Sequence, residues 1–362
     1  MNLPGLLASY LAPRQPSFLV LFVTARCNAR CDFCFYADHT TAPSTGNGEL
    51  SLDEYAMISE RCGRIPYLLV SGGEPVLRGD LAEIVGNFVR NAGARFVTIP
   101  SNGLSPDRTE ALFRDLTSAH PGCHFRAAFS IDFPDGRHDV SRGVPGCLPA
   151  LVESAERINR LKRSVGNLTL DVVTVYLPAN AGEHEALRDF VRRSIAPDNH
   201  ELHLLRPEWP AVTVPGIDTD AFLREVALYR GGSVRRESRA LSPLFRGLNA
   251  LYIANLRSIM HGRPVTRCTA GRKITVVDET GKVRLCEFRT DVLGDLRTND
   301  YDLRRVLRGE EASEIVKGMR RSRCSCTWEC SVSTDIVTSP RFYPALLAAT
   351  VRQIRATRRT SG

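Results

Sequence analysis

The sequence predicts an α/β chain: six strands alternating with helices, wound as a partial barrel or an open sheet, then a smaller hairpin-and-helix unit. Three observations predict it. Six short β-branched or aromatic runs alternate with helical stretches between residues 18 and 206, the pattern of parallel strands with helices outside. Residues able to carry chemistry fall just after the first four runs, where ligands bind in such folds. Eleven cysteines are present, most of them gathered near the two ends of the chain.

The elements follow in order. Phe18–Thr24 reads as a strand ending at the first cysteines, and residues 40–48 as a loop rich in Thr, Ser, Gly and Pro. Leu52–Cys62 reads as a helix, with Ser51 and Glu54 forming a capping box. Tyr67–Ser71 is a strand broken by Gly72-Gly73. Asp80–Ala92 and Asp107–Ser118 are helices around the strand Arg95–Pro100. Phe125–Ile131 is a strand, with a polar loop to Gly146. Leu148–Arg163 is a helix, Leu168–Tyr176 a strand, Glu183–Ile195 a helix and Glu201–Leu205 the sixth strand. Residues 207–267 form a helical connector. Lys273–Val277 and Lys282–Leu285 read as a hairpin around Asp278–Gly281, and Tyr301–Arg308 and Glu311–Arg321 as helices. The domain boundaries are 1–17 for an extension, 18–206, 207–267, 268–335 for the second unit and 336–362 for a basic tail.

Composition narrows the function. Charged residues are 24% and hydrophobic residues 43% of 362, ordinary globular proportions that exclude a mostly disordered chain. No apolar run is long enough for a membrane span. The first ten residues lack the basic start of a signal peptide, and eleven is an odd number of cysteines. A disulfide scaffold is therefore a poor reading, and the cysteines point to metal or redox chemistry in a cytoplasmic protein. The net charge of +8 is carried by 44 Arg and 4 Lys. Pairs such as Arg320-Arg321 and Arg358-Arg359 are not interleaved with stacking aromatics, which speaks against nucleic acid. Cys62, Cys123 and Cys147 are isolated and read as packing residues.

The first cluster is Cys27-Asn28-Ala29-Arg30-Cys31-Asp32-Phe33-Cys34. Three thiolates on one loop can hold an iron–sulfur cube one ligand short, leaving an iron open to a chelating small molecule. Zinc with His39 as fourth ligand is the plainer alternative. The Cys-x3-Cys-x2-Cys spacing, with an aromatic before the last cysteine, resembles the signature of radical S-adenosylmethionine (radical SAM) enzymes. Ser71-Gly72-Gly73-Glu74-Pro75 resembles that family's GGE motif, Ser101-Asn102-Gly103 its third-strand segment, and Ser130-Ile131-Asp132 its fourth. The resemblance covers residues 18–206. It implies a partial (β/α)6 TIM-like barrel, with a 4Fe–4S cluster on Cys27, Cys31 and Cys34. It places S-adenosylmethionine against Phe33, Gly72, Gly73, Glu74, Pro75, Asn102, Ser130 and Asp132. Reductive cleavage to a 5′-deoxyadenosyl radical would follow, fed by a flavodoxin- or ferredoxin-type reductant.

A second set comprises Cys268, Cys286 after Gly281-x4, then Cys324, Cys326 and Cys330. Hairpin thiolates plus a late knuckle can make a four-ligand metal site. The arrangement resembles the C-terminal SPASM extension, or its shorter twitch form, which carries auxiliary 4Fe–4S clusters. Five cysteines in place of seven, with Cys-x-Cys in place of Cys-x2-Cys, imply one auxiliary cluster. Cys268, Cys286 and Cys330 are the expected ligands, with Cys324 or Cys326 as the fourth.

Substrate-side candidates are Arg206, as a partner for carboxylate or phosphate, Glu208 as a base, and Tyr176 as a redox relay or a packing residue. His138 and Arg142 can orient the loop after the fourth strand or contact substrate, and His184 reads as exposed. The expected activity is hydrogen abstraction from a polar small molecule such as a sugar, a nucleoside or a similar natural-product intermediate. It would be completed as an oxidation or rearrangement with the auxiliary cluster. Modification or crosslinking of a ribosomally made peptide is the alternative. A non-catalytic iron–sulfur protein would need the cysteines but not Gly72, Gly73 and Glu74.

Overall fold

Short, largely apolar runs lay down five of the six barrel strands, and the sixth, Asn199–Leu204, alternates polar residues with buried leucines. A computed structural model describes residues 15–41, 48–208, 210–232, 242–264 and 267–360. Residues 1–14, most of the 40–48 loop and Trp209 lie outside the described residues. The strands are β1 (Phe18–Phe22), β2 (Tyr67–Ser71), β3 (Phe96–Ser101), β4 (His124–Ser130), β5 (Leu168–Tyr176) and β6 (Asn199–Leu204). They pair in sequence order, every pair parallel. This is the partial (β/α)6 barrel of the sequence reading.

The helices between them are α1 (Ala37–Thr41), α2 (Leu52–Arg61), α3 (Leu81–Arg90), α4 (Pro106–Ala119), α5 (Arg137–Arg142), α6 (Cys147–Lys162) and α7 (His184–Phe190). Helix α2 starts on the predicted capping box: Ser51 Oγ accepts from Glu54 N, and the Glu54 carboxylate accepts from Ser51 N. Helix α5 stands where a polar loop was expected. It is one and a half turns, closed by Gly143 in the left-handed region at φ 64°.

The second unit continues the same sheet. Strand β7 (Ile274–Val277) runs parallel to β1 on the edge away from β2, followed by antiparallel β8 (Lys282–Arg284) and β9 (Val292–Asp295). Helices α8 (Thr219–Gly232) and α9 (Ser242–Met260) form the connector. Helices α10 (Leu303–Arg308), α11 (Glu310–Arg321), α12 (Glu329–Thr338) and α13 (Tyr343–Thr360) follow. The predicted basic tail is therefore mostly helix α13. It lies along α9 closely enough that a Cβ on Gly247 would meet Thr350 Oγ1 at 2.9 Å. Among the described residues no helix is long and apolar enough to cross a membrane.

One core joins the barrel to β7–β9 and α10–α11. A second, under α8 and α9, holds Tyr176, Leu204, Phe222, Tyr229, Tyr252 and Ile336. Inside the curve of the sheet the contacts are polar. The Arg126 guanidinium on β4 meets Tyr67 of β2, Asp171 of β5 and Glu201 of β6. Only the concave face brings those strands within reach of one side chain.

Candidate functional site

The first cysteine loop leaves the end of β1 and is held from three sides. Thr24 Oγ1 and Ala25 N donate to Glu49 Oε1 at 2.7 and 3.0 Å. The buried Arg78 donates to Val23 O and Leu50 O, both at 2.7 Å. Arg30 N donates to Arg142 O at 2.8 Å. Cys27, Cys31 and Cys34 all line one cavity of about 340 Å3, with Gly72, Gly73, Glu74, Pro75, Asn102, Ser130 and Arg142. Burial pushes the Cys27 thiol up to about 11 and raises Cys34, so metal loading must displace protons.

The two glycines of the GGE segment have a reason the sequence did not reveal. A Cβ on Gly73 would stand 2.2 Å from Arg26 O, and one on Gly72, at φ 128°, 2.4 Å from Thr24 O. Gly73 N and Glu74 N donate to Thr24 O and Arg26 O, each at 2.8 Å. The close approach is to the backbone of the cysteine loop itself, so the motif sets the height of the thiols as well as the cavity floor.

Glu74 is 2% exposed. Its oxygens accept from Asn102 N at 2.8 Å and Val76 N at 3.3 Å, yet burial still raises its carboxyl to about 7. A cation delivered to the cavity would oppose that burial and favour the carboxylate. Asn102 Nδ2 donates to Asn28 Oδ1 at 2.8 Å, tying the end of β3 to the cysteine loop.

Ser130 lines the cavity, whereas Asp132 stands behind its wall. Asp132 is fully buried, accepts from Val175 N at 2.9 Å and pairs with Arg142. Arg142 in turn lines the cavity, donates to Cys31 Sγ at 3.6 Å and lies 5.2 Å from the Phe33 ring. Its Nε has no partner. Phe35, not Phe33, is the aromatic on the cavity wall. His138 is buried, and its Nδ1 accepts from Asp132 N, so it orients the loop.

The second set of thiols is deeper. Cys268 and Cys324 are hydrogen-bonded, and the charges of Cys286, Cys324 and Cys326 act on one another. Asp335 of α12 clamps the Cys268 segment by accepting from Thr269 N and Oγ1 at 2.9 and 2.6 Å. Cys330 instead faces Glu287, Glu329 and Arg206. Burial raises the Cys286, Cys326 and Cys330 thiols, Cys286 to about 11, and the hydrogen bond with Cys324, with burial, raises Cys268. Among the described residues no three His, Cys, Asp or Glu side chains converge on a single metal ion, the geometry zinc takes. A cubic cluster spreads its thiolates over separate corners.

Arg206 follows β6 and points between the two cysteine sets. It donates to Glu287 at 2.7 Å and lies 3.6 Å from Glu329. Its guanidinium is 5.2 Å from the Phe35 ring and 4.9 Å from the Phe288 ring. Glu208 is exposed. Tyr176 is packed against His184 and Phe222 in the second core, outside the barrel. His184 is 1% exposed, a correction to its reading as a surface residue: its ring stacks on Tyr176 and bonds Tyr229. Sequence reasoning missed Phe35, Glu287 and Glu329. Each is next to a cysteine, which was the available signal.

Residues 21–191 match the family model described as the Radical SAM superfamily. GTP 3′,8-cyclases of Klebsiella pneumoniae and Cronobacter sakazakii are 26% and 29% identical over 171 and 165 residues, 45% and 44% of this chain. The chain spans about half the length of these curated relatives (52% and 50%). The fold is similar to that of anSMEcpe solved with bound AdoMet (TM-score 0.59, 16% identity, 93% of this chain and 97% of that one). It is also similar to Streptococcus suis SuiB bound to S-adenosylmethionine (TM-score 0.52, 15% identity, 75% and 60%).

Proposed function

We propose that this chain, whose residues 21–191 match the Radical SAM superfamily model, is an enzyme abstracting hydrogen from a polar small molecule and passing an electron to an auxiliary cluster. The observation that carries this reading is the shared cavity. Three thiols, a buried carboxylate at Glu74 and a buried guanidinium at Arg142 line one space. That donor set fits a three-thiolate cluster beside the ammonium and carboxylate of S-adenosylmethionine. When bound, the cluster and S-adenosylmethionine supply one-electron cleavage to a 5′-deoxyadenosyl radical.

The chain's own residues do the positioning. Cys27, Cys31 and Cys34 hold the cluster. Glu74 receives the ammonium, and Arg142 the carboxylate while donating to Cys31. Ser130 and Asn102 offer polar contacts. Asp132 acts behind the wall by keeping Arg142 in place. Cys268, Cys286, Cys324 and Cys326 are the four thiols whose closeness supports an auxiliary 4Fe–4S site, with Cys330 left over. Full ligation by protein suits electron acceptance more than substrate binding.

The test is iron content and 5′-deoxyadenosine formation by anaerobically reconstituted protein, beside the Cys27/Cys31/Cys34→Ala variant. About eight irons falling to about four, with 5′-deoxyadenosine from the parent only, is the expected result. Four irons falling to none would remove the auxiliary cluster. The same fold is solved with a Cp18Cys peptide bound to anSMEcpe (TM-score 0.58, 16% identity, 95% of this chain and 99% of that one). Peptide modification is therefore the reading against which the substrate assignment is measured.

A further inference from the structure

The sequence suggests Arg206 as the partner of an anionic substrate. The structure reverses that charge logic. Arg206 is already engaged by Glu287 at 2.7 Å and faces Glu329 at 3.6 Å. On the same concave face, Arg126 is taken by Asp171 and by Glu201 at 3.0 Å. Two guanidiniums thus meet four carboxylates. Arg230 acts on Glu201 at longer range, but its own guanidinium stacks 3.7 Å over Tyr252 and donates to Asn249. Even with it counted, carboxylates outnumber guanidiniums, and a further basic group, His203, stands between Glu201 and Glu329.

A second observation shows where the excess is unmet. Glu329 is 7% exposed, and its Oε2 accepts no hydrogen bond. Arg206 Nη1 and His203 Nδ1 stand 3.6 and 3.8 Å from it, beyond hydrogen-bond distance. His203 Nε2 is occupied with Glu201 at 3.3 Å. A buried carboxylate oxygen without a donor is costly, and nothing in the described chain supplies one. Solvent reaches the charges around Glu329, though not its Oε2: the Arg126, Glu201, His203 and Arg206 side chains keep 17–23% of their surface. Through Arg206 and Phe35 this chamber adjoins the cavity of the first cysteines.

We propose that this chamber recognises a cationic amine on the substrate, with Glu329 Oε2 as the acceptor and the Arg206–Glu287 pair as the wall that holds Glu329 in place. The proposal rests on the enzymatic reading above and narrows its polar substrate to one bearing an amine.

The probes are three sugars of one size: D-glucosamine, D-glucose and D-glucuronate, measured by anaerobic equilibrium dialysis against the reconstituted full chain. A charge-assisted hydrogen bond predicts glucosamine held about tenfold more tightly than glucose, with glucuronate weakest. In Glu329→Gln glucosamine should fall to the level of glucose, while Glu329→Asp restores part of the preference. Thermal melting and iron content check that each variant is folded. Equal retention of the three sugars, tightest binding of glucuronate, or an unchanged preference in Glu329→Gln would overturn the proposal. The parent's selectivity alone decides the first two outcomes. Parent protein that prefers glucosamine yet forms no 5′-deoxyadenosine would sink the enzymatic reading and leave the amine site standing.

Discussion

The two cysteine regions are built on opposite plans. Cys27, Cys31 and Cys34 sit on a loop at the open ends of the strands, partly exposed, around a cavity that also offers a carboxylate and a guanidinium. Cys268, Cys286 and the Cys324–Cys326 pair come from three points of the C-terminal unit and close on one another, with Asp335 holding the Cys268 segment through Thr269. The first three thiols share their cavity with polar groups able to receive a ligand. Among the described residues of the second set only Cys268 lines a cavity, and the others interact chiefly with one another. The difference lies in the backbone. The first site depends on glycines that let two loops touch, and the second on a hairpin and a helix brought together by the sheet.

The largest expected effect breaks the first region alone. Gly73→Ala puts a Cβ 2.2 Å from Arg26 O, so the cysteine loop must shift. The expectation is a loss of about 2–4 kcal/mol of stability and loss of the N-terminal iron with the C-terminal iron retained, read by iron analysis and melting. Equal iron in variant and parent would separate the glycine from the cluster loop. The second comparison lies within the C-terminal set. Cys286→Ala should remove the auxiliary iron, about half of the total, whereas Cys330→Ser should keep it. The opposite pattern would return Cys330 to the ligand set.

A smaller effect is expected at Glu74. Glu74→Gln should leave the iron content near that of the parent and weaken S-adenosylmethionine binding about tenfold, measured by dialysis. The smallest concerns folding. His138 and His184 are buried, and burial lowers both to about 4. Unfolded, each titrates near 6.5. The unfolded chain therefore binds more protons between these values, and stability falls as pH drops from 6.5 towards 4, by at most about 1.4 kcal/mol per unit for each histidine. His184→Gln should flatten that slope by one proton in pH-dependent denaturant melts.

Much of this was legible in the sequence because the signals were local. The six strands, the capping box at Ser51 and the motifs after each strand need only neighbours to be read. What was hidden depends on distant partners. The sequence places Asp132 against S-adenosylmethionine, and only the fold shows Arg142 between it and the cavity. Arg206 looks like a free cation until Glu287, 81 residues on, is placed beside it. His184 looks exposed at a helix start until α8 and its Tyr229 cover it. The last helix hides because its many arginines mask a face that packs along α9.

The placement of β7 has a consequence for biosynthesis. Strand β1 is an inner strand only because β7 lies on its far side, paired from Phe18↔Ile274 to Leu21↔Val277. The turn after β7 also reaches the cysteine loop, where Tyr36 bonds Glu279 and Leu50 N donates to Glu279 O at 2.7 Å. A growing chain emerges N-terminus first, so β1 must wait for some 250 residues before its neighbour exists. Until then its edge is bare and apolar, a template for unwanted strand pairing. A chain stopped at residue 267 would keep that edge permanently. The first cysteine loop is thus completed only when residues 274–279 have left the ribosome, at the start of the segment that carries the second cysteine set.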